Sequence, residues 1–388
     1  MRKGWEYKKL GEICSSDLGK TLNKSKDVGN MRPYLCAINI LWDSIDLTTL
    51  KEACFKDDEI DRYTVKYGDL LVCEGGDTGR AAIWDRKEHI LYQNALHRLR
   101  FKEDVDARFI MYNLWHKKQI GEIDHKYSKG VTILHLVKSA LLSIPILLPP
   151  LSTQLAIVSE LDKINELIRL KKEQLKDFDN LAQSLFYEMF GDPVENEKGW
   201  EVKKLGEVCC IGTGSTPNRK NKEFYENGTY PWVKSTEVCN LPIYSVEEYI
   251  TEEALKNSNC TLYPKNTILM AMYGQGKTRG QIGLLKIEAC TNQAVAAIIP
   301  TKEVLDEIFL CQHLMLMYEH IRNMARGGNQ ANLNLSIVKS IQIFLPPLPL
   351  QRLFAQRIEQ IEREKSEVQK SIQDLETLLA SRMQYWFE

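Results

Sequence analysis

The apolar positions along this chain switch period, and the switch occurs twice. Roughly over residues 1–145, short apolar or aromatic runs such as Asp69-Leu70-Leu71-Val72-Cys73 and Ala82-Ile83-Trp84 are punctuated by Gly, Pro and Asn. Runs of that length bounded by turn residues read as strands. Residues 197–342 repeat the texture with Thr267-Ile268-Leu269-Met270 and Ala294-Val295-Ala296-Ala297-Ile298-Ile299. In each half, helical spacing of apolar residues follows, from Phe109 to Lys118 and from Leu305 to Arg322. Both stretches predict α+β globular domains.

After a Pro-Pro pair the period becomes that of a heptad. The first seam runs Ile157, Leu161, Ile164, Ile168, Leu175, Phe178, Ala182, Leu185 and Met189, with Lys171 at one seam position. Gly191-Asp192-Pro193 ends it, because Gly caps a helix and Pro cannot continue one. The second seam is Ile358, Ile361, Val368, Ile372, Leu375, Leu379 and Trp386, interrupted by Lys365. Helices of about 38 residues reach roughly 57 Å at 1.5 Å per residue. Such helices draw their stability from burying an apolar face. With a globular domain between them in sequence, an antiparallel pair is the expected arrangement; the alternative is that each helix docks on its own domain.

The two halves also repeat residue by residue. Gly4-Trp5-Glu6-Tyr7-Lys8-Lys9-Leu10-Gly11-Glu12-Ile13-Cys14 returns as Gly199-Trp200-Glu201-Val202-Lys203-Lys204-Leu205-Gly206-Glu207-Val208-Cys209. Gln93-Asn94-Ala95-Leu96 returns as Asn292-Gln293-Ala294-Val295, and Leu148-Pro149-Pro150-Leu151 with Gln154 as Leu345-Pro346-Pro347-Leu348 with Gln351. A repeat of this length far exceeds a solenoid period. A duplicated protein presents two similar surfaces and suits a two-part target.

Composition narrows the picture only slightly. A hydrophobic content of 44% with 27% charged residues is ordinary for a globular chain of 388 residues. No apolar run is long enough to span a membrane, and Met1-Arg2-Lys3-Gly4-Trp5 lacks the core of a signal peptide. The ten cysteines contain no Cys-x-x-Cys pair, so reduced thiols in a cytosol and no metal site are expected. A net charge of −1 means that any nucleic-acid binding must use local basic patches.

The ordered set of motifs resembles the specificity subunit of type I restriction–modification systems. The resemblance rests on the doubled Leu-Pro-Pro-Leu-x-x-Gln entry into a long helix and on Lys66-Tyr67-Gly68-Asp69-Leu70-Leu71 through Gly79-Arg80-Ala81-Ala82-Ile83-Trp84. It rests also on Gly214-Ser215-Thr216-Pro217 with Tyr230-Pro231-Trp232-Val233-Lys234-Ser235. It implies an α+β fold with two similar target-recognition domains, residues 1–147 and 193–344. They are separated by two long helices, within 148–192 and 345–388, packed as an antiparallel coiled coil in a pseudo-twofold internal repeat. It further implies a non-catalytic, cytoplasmic subunit without cofactor that reads a bipartite double-stranded DNA site. That subunit carries two methyltransferase subunits and, in the full complex, motor-nuclease subunits. Because the first domain starts almost at residue 1, the C-terminal helix is expected to close the circle alone.

Three pairs of segments are candidates for DNA contact. The polar loop with Lys20, Thr21, Asn23, Lys24 and Lys26 is matched by one with Asn218, Arg219, Lys220 and Lys222. Clustered cations with hydroxyls and amides suit phosphates, while a solvated turn explains them equally. The glycine loop Glu74-Gly75-Gly76-Asp77-Thr78-Gly79-Arg80, offering Thr78 and Arg80, is matched by Tyr273 to Gly280, offering Gln275, Lys277, Thr278 and Arg279. Glycines let backbone approach a ligand and these donors suit base edges; the alternative is a hairpin turn needing positive φ. Lys234-Ser235-Thr236 and Arg326-Gly327-Gly328-Asn329-Gln330-Ala331-Asn332 form the third set, with Cys36-Ala37-Ile38-Asn39 and Tyr127-Ser128-Lys129-Gly130 as counterparts. Backbone satisfaction of Thr236 in a core explains it as well.

Gly276-Lys277-Thr278 ends like a phosphate-binding P-loop, but the leading glycine is Ala271 and a strand rather than a helix is expected next. No dinucleotide-binding, methyltransferase or zinc-protease motif occurs, and His97 and His313 read as structural. The competing class is a coiled-coil scaffold carrying two protein-binding domains with no DNA role, which leaves the paired basic loops unexplained.

Overall fold

The computed structural model describes residues 4–23, 27–130, 134–274, 276–324 and 332–388. The chain divides into two compact units, Met1–Lys172 with Lys370–Glu388, and Glu173–Gln369. The division falls inside the long helices, so each unit is one α+β domain plus half of each helix.

Both units are built alike. In the first, Cys14–Leu18, Leu96–Phe101, Leu70–Cys73 and Ala81–Ile83 form an antiparallel sheet in that order. In the second, Cys209–Thr213, Val295–Pro300, Ile268–Ala271 and Ile282–Leu285 take the same order, and Pro242–Ile243 adds a parallel edge. The central strands Leu70–Cys73 and Ile268–Ala271 are buried throughout, as their unbroken apolar runs require. A second sheet contains a parallel pair, Asn30–Leu35 with Ile90–Tyr92 in the first unit and Tyr230–Val233 with Cys290–Thr291 in the second.

The repeated opening motif has a local cause. Glu6–Lys9 pairs with Pro145–Leu148, and Glu201–Lys204 with Gln342–Leu345. The following turn of helix starts at Leu10 or Leu205, where Glu12 and Glu207 accept from the backbone N–H of Lys9 and Lys204 at 3.1 and 3.3 Å. Each is the glutamate half of a capping box, closing the first helical turn from its third residue.

The repeated glutamine is a buried anchor. Gln154 donates to Asp104 O (3.1 Å) and Pro149 O (2.9 Å) and accepts from Asp106 N (2.8 Å). Gln351 donates to Val304 O (3.2 Å) and Pro346 O (2.8 Å) and accepts from Asp306 N (3.0 Å). Asp106 and Asp306 in turn cap the domain helices Ala107–Gln119 and Glu307–Leu316. Each glutamine thereby ties the start of a long helix to the start of a domain helix. Gln351→Leu orphans one N–H and two carbonyls, and a loss of about 3 kcal/mol or more is expected at roughly 1–3 kcal/mol for each uncompensated group. Urea unfolding checks this, and a loss below about 1 kcal/mol contradicts the anchor.

The long helices are Leu151–Phe190 and Leu348–Phe387. Within the first unit Arg382 pairs with Glu160, Trp386 donates to Glu160 (3.1 Å), and Lys172 meets Glu376 at 2.8 Å. Within the second, Lys365 reaches Asp179 at 2.8 Å while Phe186 packs on Phe354 at 5.6 Å. In both units the partner number falls as the helix number rises, so the pair is antiparallel, as expected from the globular domain between the helices in sequence. Lys365 occupies a seam position because Asp179 and Glu362 neutralise it. The second helix ends on the first domain, with Trp386 stacked on Trp5 and Phe387 against Phe109.

One face of the first helix differs from expectation. Leu185 and Met189 are only half-buried, and Phe186 and Phe190 are fully buried instead. Here the helix serves the domain core as well as its partner helix, which widens the apolar stripe beyond a coiled-coil seam. At this end the helix packs on its partner helix and on the second domain, not on the domain that precedes it in sequence.

Candidate DNA interface

The two polar loops begin at the same structural device. Gly19 and Gly214 cross so close to the neighbouring strand end that a Cβ would overlap the Gln93 carbonyl in one case and the Thr291 carbonyl in the other. Only glycine tolerates that approach. The crossing puts a hydroxyl beside an amide in both units: Asn94 donates to Thr21 at 3.4 Å, and Thr216 donates to Gln293. The repeated Gln93-Asn94 and Asn292-Gln293 thus lie at the loop, a role their sequence did not announce.

Lys20 departs from its expected place. Its ammonium sits 2.7 Å from Glu59 and 3.7 Å from Asp27 and donates to Cys54 O at 3.0 Å, with 5% of the residue exposed. The charge points inward between Asp27, just before strand Asn30–Leu35, and Glu59, on the 3-10 turn Asp57–Glu59 that follows the neighbouring strand Lys51–Phe55. Thr21 and Asn23 are exposed, whereas Lys24 and Lys26 lie outside the described residues. In the second unit Asn218, Arg219, Lys220 and Lys222 are all exposed. Arg219 lies against the rings of Tyr225 and Trp232, 4.5 and 4.8 Å from their centroids, and pairs with Glu248 at 2.7 Å.

Lys234 pairs with Glu247 (2.6 Å) and Glu248 (3.3 Å). The hydrogen bond to Arg219 is the main reason the Glu248 carboxyl titrates below its ordinary range. Glu248 therefore joins two candidate cations into one ionic cluster. Ser235 and Thr236 lie on a 3-10 turn over Ser235–Glu237, with Thr236 exposed rather than in a core. The counterpart turn Ala37–Asn39 is closed by Cys36 N donating to Asn39 at 2.9 Å. Of the Arg326 to Asn332 segment, only Asn332 falls among the described residues.

The glycine loops are anchored by different chemistry. In the first unit Thr78 is buried and donates to Asp124 (2.7 Å), while Lys118 bridges Asp124 (2.7 Å) and Asp77 (2.9 Å). Arg80 donates to Ala37 O at 2.9 Å and lies 3.8 Å from Asp77. Thr78 and Arg80, expected as contacts, are thus engaged in holding the loop. In the second unit Lys277 is exposed, Thr278 and Arg279 are half-buried, and Gln275 lies outside the described residues. Tyr318 donates to Lys277 O (2.5 Å), and Arg322 donates to Gly276 O (2.8 Å) and Arg279 O (3.4 Å). Strand Ile282–Leu285 follows this loop, so it lacks the helix start that a P-loop needs.

Both expected structural histidines lie in cores. His97 Nε2 is 2.9 Å from Leu136 O, and His313 Nε2 is 3.3 Å from Pro193 O. Among the described residues no group of three or more His, Cys, Asp or Glu is placed to hold a metal ion. No helix among them is long and apolar enough to cross a membrane.

A duplicated α+β domain, each copy followed by a long helix of an antiparallel pair and each bearing a glycine-crossed polar loop, defines a two-headed recognition protein. The family described as Type I restriction modification DNA specificity domain matches the chain twice, over residues 2–177 and 197–377, and the chain belongs to it. It is 24% identical over 376 residues to the type I restriction enzyme MjaIX specificity subunit of Methanocaldococcus jannaschii, covering 91% of this chain and 85% of that one. The MjaVIII specificity subunit of the same organism is 25% identical over 412 residues, covering 97% and 92%. In fold it is similar to the type I restriction-modification S subunit from M. genitalium, with TM-score 0.60, 16% identity and coverage of 99% and 96%.

Proposed function

We propose that this chain is the DNA-reading subunit of a type I restriction–modification complex. Each domain, residues 1–147 and 193–344, reads one half of a bipartite double-stranded site. The helix pair sets the half-site separation, about one turn of DNA or roughly 34 Å, and docks two methyltransferase subunits. Methylation belongs to those subunits and cleavage to added motor-nuclease subunits, in the cytoplasm, and the chain itself supplies no catalytic group or cofactor.

The observation that carries this reading is the pair of crossings at Gly19 and Gly214, which set a hydroxyl–amide pair at the same point of two copies of one fold. Around that shared point the surface chemistry differs, as two readers of different half-sites require. Exposed Asn218, Lys220, Lys222 and Lys277 stand in the second unit, and Thr21 and Asn23 in the first. Thr236 on its 3-10 turn adds a further donor, while Lys20, Thr78 and Arg80 support the loops from inside. Mapping methylated bases genome-wide with and without the gene tests the proposal. A two-part methylated motif should vanish on deletion; an unchanged methylation pattern in a strain that expresses the chain sinks it.

Glu248 gives a second check. Phosphates compete with this carboxylate for Arg219 and Lys234, so Glu248→Gln should raise affinity for random-sequence duplex at low salt. It should also steepen the dependence of log K on log salt by about 1, since each added phosphate contact contributes about 0.9. An unchanged slope, read by fluorescence anisotropy over a salt series, contradicts the role given to these two cations.

A further inference from the structure

The second unit's glycine loop is held by two side chains that its own segment does not contain. The loop borders a cavity of about 440 Å3 lined by Asn240, Lys277, Gln281, Tyr318, Glu319 and Arg322, a polar set without an aliphatic side chain to clamp the loop by packing. Helix Tyr318–Met324 supplies the restraint instead. Arg322 reaches the carbonyls of Gly276 and Arg279, and Tyr318 that of Lys277, so three carbonyls of one turn are fixed from one helix face. Gly280, at φ +87°, leaves the Arg322 stem its space, since a Cβ at that position would meet Arg322 Cγ at 3.1 Å. The Arg322 guanidinium lies over the Tyr318 ring at 5.2 Å, and Nη1 also donates to the Tyr318 hydroxyl, so the two side chains brace each other. In the first unit the same loop is braced by an ionic set, Lys118 with Asp77 and Asp124.

We propose that Arg322 and Tyr318 are positioning residues for half-site specificity: they hold the backbone that presents Lys277 and Arg279, and contact no DNA themselves. This rests on the DNA-reading function above. A guanidinium whose donors are committed to carbonyls sets loop shape, and base discrimination requires donors held at fixed positions on a groove edge. Phosphate affinity needs only charge nearby. The two properties should therefore separate when the clamp is removed.

The test uses the full chain assembled with its methyltransferase subunits, as wild type, Arg322→Ala and Tyr318→Phe. Methylated motifs are mapped, and the salt dependence of duplex binding is measured alongside thermal melting. In both variants one half of the motif should relax, with about tenfold more methylation at sites mismatched in that half, on the scale of a single lost base discrimination. The other half should stay stringent, and the salt slope should hold within about half a unit. A slope reduced by about 1 with stringency intact identifies Arg322 as a phosphate contact and overturns the proposal. Equal relaxation of both halves, or none in either variant, also overturns it. Where Arg322→Ala lowers the melting temperature, the milder Tyr318→Phe decides. A wild-type complex without any two-part motif refutes the function itself rather than this inference.

Discussion

Phe186→Ala is expected to remove about 3–5 kcal/mol of stability, the range for truncating a fully buried aromatic. Phe186 is wholly inaccessible and meets four other phenylalanine rings of the second unit: Phe190 at 5.2 Å, Phe354 at 5.6 Å, Phe309 at 5.7 Å and Phe344 at 6.1 Å. These rings come from both long helices, the domain helix Glu307–Leu316 and strand Gln342–Leu345. Close-packed cores relax only partly around a deleted side chain, so a cavity remains and adds to the cost. The neighbouring Leu185→Ala, on the half-buried face, should cost clearly less. Urea unfolding of the two variants compares them directly. If Leu185→Ala proves the costlier, the heptad seam rather than the domain face organises this end of the helix.

The second large effect is acid destabilisation through His313. The imidazole is buried beside Phe344, with ring centroids 4.3 Å apart, and burial pushes its pKa down to about 4 from an ordinary 6.5. Below pH 6.5 the unfolded chain binds a proton that the folded chain refuses. Stability from this group is therefore complete above pH 6.5 and is lost as pH falls from 6.5 toward 4. At 1.36 kcal/mol per unit the loss by pH 4 is roughly 2–3 kcal/mol. His313→Asn, which follows the buried Asn113 at the matching place of the first domain, should flatten this part of the pH profile. Urea midpoints at pH 7 and pH 4.5 for both proteins check it, and parallel profiles reject it.

Much of this architecture was legible in the order of residues. The doubled Gly-Trp-Glu motif, the Leu-Pro-Pro-Leu-x-x-Gln entries and the two heptad seams each depend on neighbours a few positions away, so local spacing carries their meaning. The seams implied that the helices pair, and the globular domain between them in sequence implied that they run antiparallel. The glutamines were visible as motif members, but not as three-bond anchors, because their partners at Asp104 and Asp106, or Val304 and Asp306, lie about 50 residues upstream.

The binding surface was less legible. Lys20 and Lys24 belong to the same run of polar residues, yet Lys20 turns inward because Asp27 and Glu59 are brought to it by sheet pairing. Thr78 and Arg80 matched the chemistry of a contact loop, and in the fold both side chains make hydrogen bonds that brace it. Arg322 and Tyr318 carried only a weak signal, an Arg four residues after a Tyr on a helix, and nothing pointed from there to a loop some 40 residues earlier. Periodicity and duplication, being local or self-referential, were settled by the chain alone. Which charges face solvent and which hold the loops was decided only by folding, because burial and ion pairing depend on groups that sequence distance does not bring together.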